Sequence, residues 1–338
     1  LPKLRPDAHK GDAGRLLLLV GSDAMPGAAV LAARAALRGG AGLVTVACVD
    51  RRPLATLPTV APEALLLDLR VGSKGETTHE ALAASLAAGL QRGQFDACAA
   101  GPGLGATKRT RALVECLLDQ FRGPLLLDAD ALNVFAGDAD TLAAKDRSLA
   151  LTPHPGEAAR LLGRAVPSDE EGRTEAAQEL AQRCGATVLL KGAGTLIADG
   201  KRKVRNSTGN AGLAVGGSGD VLTGLAAAYL ARRSLDWSVF ECLRACAWIH
   251  GRAGDIAAEQ KGERGALPSD VIDLMAGIDL DGNNCLDYNE FLAATMERNL
   301  IMRDENIRAA FRAFDKEGRG HLTIQDLVEI FGSEQHAV

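Results

Sequence analysis

Aromatic residues make up only 4% of the 338-residue chain, with two Trp and two Tyr. Neither an aromatic ladder nor a basic stripe interleaved with aromatics is present, so nothing points to a nucleic-acid surface. Long apolar runs are also missing. Stretches such as Leu16–Val20 are of strand length, well short of the roughly 20 residues that a helix needs to cross a bilayer. The expectation is a protein without membrane or nucleic-acid partners. The seven cysteines (48, 98, 116, 184, 242, 246 and 285) are odd in number and include no C-x-x-C pair. That argues against a secreted disulfide framework and for a reducing compartment, cytoplasmic or organellar. Cys242 and Cys246 lie one helical turn apart, yet no further Cys or His pair joins them at zinc spacing, and buried structural thiols are expected. The chain starts at Leu1, so a targeting segment is not readable.

What is present divides the chain in two. Residues 1–278 carry 32 basic and 31 acidic side chains, whereas residues 279–338 carry 6 and 12, so the net charge of −5 arises in the last 60 residues. That segment also holds five of the ten Phe and Tyr (Tyr288, Phe291, Phe311, Phe314 and Phe331) and little of the preceding Ala/Gly richness. Two compositions imply two modules, residues 1–275 and 276–338. The short basic run of Lys201, Arg202, Lys203 and Arg205 fits a solvated hairpin tip better than a phosphate track.

In the first module, apolar runs bounded by Gly or Pro alternate with longer Ala/Leu segments. Leu16–Val20, Val44–Val49, Ala97–Ala100, Leu125–Leu127, Leu149–Leu151, Val188–Leu190 and Leu196–Ala198 read as strands; Ala28–Leu37, Ala81–Leu90 and Arg111–Gln120 read as helices. Continuous apolar strands alternating with helices predict an α/β layered domain around a mostly parallel sheet, whose ligands gather beyond the carboxyl ends of the strands.

Glycine-rich turns fall at those ends. Gly21–Ala28 opens a helix after the first strand, and Gly101–Gly105 follows the strand ending at Ala100; either alone serves turn geometry as readily as a ligand. Gly216-Gly217-Ser218-Gly219-Asp220 is more pointed, because consecutive small residues before the helix of Leu225–Ala231 aim several backbone N–H groups at one place. A phosphoryl group suits such a nest. The carboxylate of Asp220 then stands where it can take a proton from a hydroxyl aligned with that group, a role compatible with capping the helix.

The order of motifs is also recognisable: Pro6–Gly14, Gly39-Gly40-Ala41-Gly42-Leu43-Val44, Gly101–Gly105, Asp128-Ala129-Asp130-Ala131-Leu132-Asn133, Thr152-Pro153-His154-Pro155-Gly156-Glu157, Lys191-Gly192-Ala193-Gly194-Thr195 and Gly216–Gly224. Over roughly residues 1–275 it resembles the NAD(P)H-hydrate dehydratase family. The resemblance implies a ribokinase-like fold and cofactor repair, in which a nucleoside phosphate drives dehydration of the S epimer of hydrated NADH or NADPH. It also implies that Asp220 deprotonates the ring hydroxyl, that the Gly216, Gly217, Ser218 and Gly219 backbone steadies the transferred phosphoryl group, and that Mg²⁺ neutralises phosphate charge. By the same resemblance Ala41, Gly103, His154 and Asp220 would contact the hydrate, and Lys191, Gly192, Ala193, Gly194 and Thr195 with Gly219 the nucleotide. The His154–Glu157 and Lys191–Thr195 variants are similar to those of the ADP-using bacterial branch rather than the ATP-using animal branch. Family members with an epimerase domain carry it ahead of the dehydratase, so a separate epimerase is the expected functional partner. Ala/Leu-rich helices point to homo-oligomers without specifying one.

The residues themselves leave several roles open. Lys191, after a buried strand and flanked by Gly, suits a phosphate counter-ion. His154, held between two prolines, suits either ligand contact or a plain surface loop. Asp128 and Asp130 suit ordering of Mg²⁺-bound water or of a glycine loop. His250, in the Val239–Gly251 helix, is expected to be packed rather than to act as a base. A ribokinase-like small-molecule kinase would use the same Asp220 loop, and a calcium sensor with an inactive first domain is the reading from a different class.

In the second module, the twelve residues Asp279–Glu290 match an EF-hand loop, with Asp279, Asp281, Asn283, Asp287 and Glu290 supplying oxygen side chains and Cys285 a backbone carbonyl to Ca²⁺. Asn284 replaces the usual turn glycine. A second loop, Asp315–Asp326, places Arg319 at a ligand position and is expected to pair structurally without strong binding. Residues 279–333 resemble the last EF-hand pair of calcium-dependent protein kinases, which implies a small all-α module with exiting and entering helices over Tyr288–Leu300 and Glu305–Phe314.

Overall fold

Strands that are buried on both faces form the centre of one nine-stranded sheet. A computed structural model describes residues 10–70, 78–143, 147–232, 235–275, 285–287 and 321–323. The chain divides into two units, with the boundary between Ala276 and Gly277.

The first unit contains β1 (Arg15–Leu19), α1 (Pro26–Arg38), β2 (Leu43–Cys48), α2 (Arg51–Val60), β3 (Leu65–Asp68), α3 (His79–Gly93), β4 (Ala97–Ala100) and α4 (Lys108–Gln120). It continues with β5 (Leu125–Leu127), α5 (Asp130–Asn133), β6 (Leu149–Leu151), α6 (Pro155–Leu162), α7 (Glu170–Cys184), β7 (Thr187–Leu190), β8 (Leu196–Ala198) and β9 (Lys203–Arg205). The last three helices are α8 (Ser218–Ala231), α9 (Val239–Lys261) and α10 (Pro268–Met275). The strand order is β3-β2-β1-β4-β5-β6-β7-β8-β9. Neighbours from β3 to β7 are parallel, and β8 and β9 add an antiparallel edge.

Alternation along the strands sorts their side chains to two helical layers. Leu17, Leu19, Leu125 and Leu127 pack with Leu86 of α3, Leu117 of α4 and Leu180 of α7. The opposite face is covered by α8, which packs on β1, β4, α1 and α9. Eleven of the fourteen residues of α8 are buried, as befits a helix apolar on nearly all sides. Six buried alanines on α1 keep side chains small along its packed face. Among the described residues no helix is long and apolar enough to cross a membrane.

The ribokinase-like α/β reading matches the sheet, and each strand read from the sequence lies within one residue of an observed strand. β3 escaped the reading because it is an edge strand with Leu65 and Leu66 exposed, giving no buried-strand signature. In α2, Pro53 falls in the first turn, where proline is tolerated, and Pro58 lies inside the helix, where it removes a backbone hydrogen bond; both discourage a helical reading. The basic run turns out to be a hairpin strand as well as its tip: Lys203–Arg205 pairs with Leu196–Ala198. The helix expected to end at Gly251 runs on to Lys261. Cys48, Cys98, Cys184, Cys242 and Cys246 are buried free thiols and Cys116 is half-buried.

In the second unit the described residues form one antiparallel pair, β10 (Cys285–Asp287) with β11 (His321–Thr323), in which Leu286 stands opposite Leu322. The remaining proposed calcium ligands, Asp279, Asp281, Asn283 and Glu290, and the flanking helices lie outside the described residues.

Candidate active site

Parallel strands place their carboxyl ends on one side, and the turns after β1, β4, β5, β6 and β7 converge there with the start of α8. The backbone of Gly217 adopts φ +96° and ψ −16° as it enters α8. An L side chain is strained in that conformation, and a Cβ there would lie 2.6 Å from Leu31 Cδ1. The turn leaves the Gly219 and Asp220 amides without an acceptor among the described residues, pointing out of the helix start. Behind them, His250 Nε2 of α9 lies 3.4 Å from Ser218 Oγ. Burial pushes the imidazole down to about 4, opposed by a backbone hydrogen bond at Ser218 and assisted by the Lys191 cation, so His250 is a packed neutral residue.

An ion-pair network lies against this helix start. Lys191 Nζ, at the end of β7, donates to Asp128 Oδ1 across 2.7 Å and lies 3.8 Å from Glu157 Oε2. Thr223 Oγ1 donates to Asp128 Oδ2, also across 2.7 Å. Burial works against the Lys191 ammonium, but the Asp128 and Glu157 carboxylates more than offset it and leave its pKa above the ordinary lysine value. For Glu157 burial dominates; Lys191 opposes it and Asp128 adds to it, so the carboxyl titrates higher than usual. Burial, then the Asp128 charge, pushes Asp220 up to about 6 against the pull of Lys191, with Asp130 adding to the rise. A carboxylate poised near neutral pH beside unpaired amides and a cation is equipped to take a proton while an anion is held.

The remaining candidates separate clearly. Asp130 Oδ2 accepts the Gly105 amide at 2.8 Å, so of the two roles left open for Asp130 the structure displays the ordering of the glycine loop that contains Gly103. His154 caps α6: its Nδ1 accepts from the Gly156 and Glu157 amides, while Glu157 Oε2 accepts from the His154 amide. This reciprocal cap fixes the start of α6, where Pro155 occupies the first helical position. In the Lys191–Thr195 turn, Thr195 Oγ1 donates to the Gly192 carbonyl and Arg173 Nη1 donates to the Ala193 carbonyl at 2.7 Å. Ala41 is not brought to this cluster. It is 8% exposed in the turn between α1 and β2, before the amino end of β2 and hence at the opposite end of the sheet.

Thr223, Glu157 and Arg173 were not singled out from the sequence. Thr223 follows Asp220 by three residues, which places both on one side of α8, and that spacing was a usable signal. Arg173 gave none, because its partners are carbonyls about twenty residues away.

A family model described as NAD(P)H-hydrate dehydratase matches residues 16–276. The ADP-dependent (S)-NAD(P)H-hydrate dehydratase of Neisseria meningitidis is 41% identical over 261 residues, covering 76% of this chain and 81% of that protein. The bifunctional NAD(P)H-hydrate repair enzyme Nnr of Moorella thermoacetica is 42% identical over 277 residues, covering 81% of this chain; the chain spans 51% of that relative's length. Among solved structures, the ADP/ATP-dependent NAD(P)H-hydrate dehydratase of Bacillus subtilis, co-crystallised with ATP and Mg²⁺, superimposes with a TM-score of 0.67 at 30% identity, covering 81% of this chain and 92% of the other.

Proposed function

The chain belongs to the NAD(P)H-hydrate dehydratase family, and from that premise we propose that residues 1–275 dehydrate (S)-NAD(P)H hydrate to NAD(P)H at the expense of ADP. The observation that carries the reading is the placement of Asp220, raised to about 6, at the free amides of α8 with Lys191 against Gly219.

In this mechanism the terminal phosphoryl group of the nucleotide lies at the Gly216–Gly219 turn, where the amides and the Lys191 ammonium stabilise the charge that develops on transfer. Asp220 removes the proton from the ring hydroxyl as its oxygen bonds to phosphorus and the nucleotide departs. Loss of phosphate, with its C–O electron pair, and of a ring proton then restores the double bond. Gly103 and His154 border the hydrate; Lys191–Thr195 border the nucleotide. Among the described residues no group of three or more His, Cys, Asp or Glu side chains could hold a metal ion, and the oxygens of Asp128 and Asp130 already have partners. Mg²⁺ would accompany the nucleotide phosphates and neutralise their charge. An epimerase activity would supply the S epimer.

Residues 276–338 are read as an EF-hand pair that binds one Ca²⁺ at Asp279–Glu290. The antiparallel ladder supports this, because Leu286 and Leu322 are each the eighth residue of their loops. Phosphorus NMR of a complete turnover tests the enzymatic reading: inorganic phosphate and AMP in equal amounts support the dehydratase, whereas a persisting phosphorylated product supports a small-molecule kinase.

A further inference from the structure

Asp128 is 1% exposed, and its two carboxylate oxygens are taken by different elements: Oδ1 by Lys191 from β7, Oδ2 by Thr223 from the second turn of α8. The backbone of β5 is already bonded to β4 and β6, so the sheet does not depend on this side chain. A buried ion pair contributes little net stability over an apolar pair of similar volume, so its placement asks for another explanation.

What the pair faces provides one. A Cβ on Gly219 would lie 3.5 Å from Lys191 Nζ and 4.0 Å from Asp128 Oδ2, which sets the ammonium and its carboxylate directly against the helix start that carries Asp220. We propose that Asp128 is a positioning residue acting through two groups: it holds the Lys191 ammonium under the Gly216–Gly219 turn, where the phosphoryl group arrives, and its negative charge keeps Asp220 a competent base. The inference rests on the dehydratase reading above.

Asp220 is faced by Asp128 from the end of β5, by Asp130 from the start of α5 and by Lys191 from the end of β7; Glu157 of α6 reaches Lys191, and neutral His250 of α9 lies behind Ser218. Among these groups Asp128 is bonded both to Lys191 and to the helix bearing Asp220. The elevated Asp220 pKa agrees with this arrangement, since Asp128 follows burial as its largest cause.

The test is the pH dependence of kcat/KM for the full chain and for Asp128→Asn, which removes the charge while keeping the shape. The expected result is an acid limb moved to lower pH by about one unit, together with a several-fold higher nucleotide KM. A limb that coincides with the native one, even with activity reduced at every pH, overturns the proposal. Thr223→Val keeps the charge but loosens Asp128, and it is expected to leave the limb in place while raising the nucleotide KM. Should Asp128→Asn fail to fold, an unchanged nucleotide KM in Thr223→Val overturns the proposal instead. Absence of dehydration by the native chain is a separate result, which removes the dehydratase reading and this inference with it.

Discussion

The Gly105 amide donates to the Asp130 carboxylate across 2.8 Å, tying the loop after β4 to the helix that begins after β5. Two adjacent strands thereby fix the turn that contains Gly103, the residue proposed to border the hydrate. Asp130→Ala is expected to cost about 1–2 kcal/mol of stability and to lower kcat/KM for the hydrate about tenfold. Denaturant titration and steady-state kinetics on the same preparation check both.

The Asp220 pKa of about 6 makes two predictions with definite signs. The proposed base works ionised, so kcat/KM rises with pH through about 6 and levels off above it. For folding, a carboxyl whose native pKa lies above its unfolded value contributes stability that is fully present below about 3.8 and is lost as pH rises through about 6. Asp220→Asn therefore lacks activity yet is more stable than the native chain at pH 7, by about 2 kcal/mol. The difference closes near pH 3.8, and melting curves across this window measure it.

Two glycines of the same turn are expected to behave differently. At Gly219 the backbone is helical and a Cβ meets nothing closer than 3.5 Å, so Gly219→Ala should fold and gain about 0.4–1 kcal/mol. Its methyl group occupies the space over Lys191, and turnover should be lost. At Gly217, with φ +96°, alanine is strained and meets Leu31, so Gly217→Ala should lose about 1–2 kcal/mol or more. Thermal melts paired with activity assays distinguish the two outcomes.

The second unit gives an independent prediction. Calorimetric titration of the full chain with Ca²⁺ should show one site, and Glu290→Gln, which weakens the terminal ligand of the first loop, should abolish it. Two sites of equal strength would contradict the role assigned to Arg319.

Buried strands such as Ala97–Ala100 were legible because a parallel sheet covered on both faces leaves an uninterrupted apolar run. Edge strand β3 and proline-bearing α2 were not, since neither displays the pattern of its own class. The same divide runs through the site. Gly217 and Asp220 declare themselves in a short stretch of sequence, because a nest and a following helix are local structures. The bond from Lys191 to Asp128 spans 63 positions and exists only once the ends of β5 and β7 lie near each other. Asp128 and Asp130 illustrate the limit well: two carboxylates two residues apart look alike in sequence, yet one holds a lysine and the other a glycine loop.

Recovery of reduced-nicotinamide absorbance from purified (S)-NADH hydrate, with Mg²⁺ and either ADP or ATP, tests the central claim most directly when the native chain is compared with Asp220→Asn. The account predicts recovery with ADP by the native chain and none by the variant. Full recovery by Asp220→Asn, or no recovery by the native chain with either nucleotide, would contradict it.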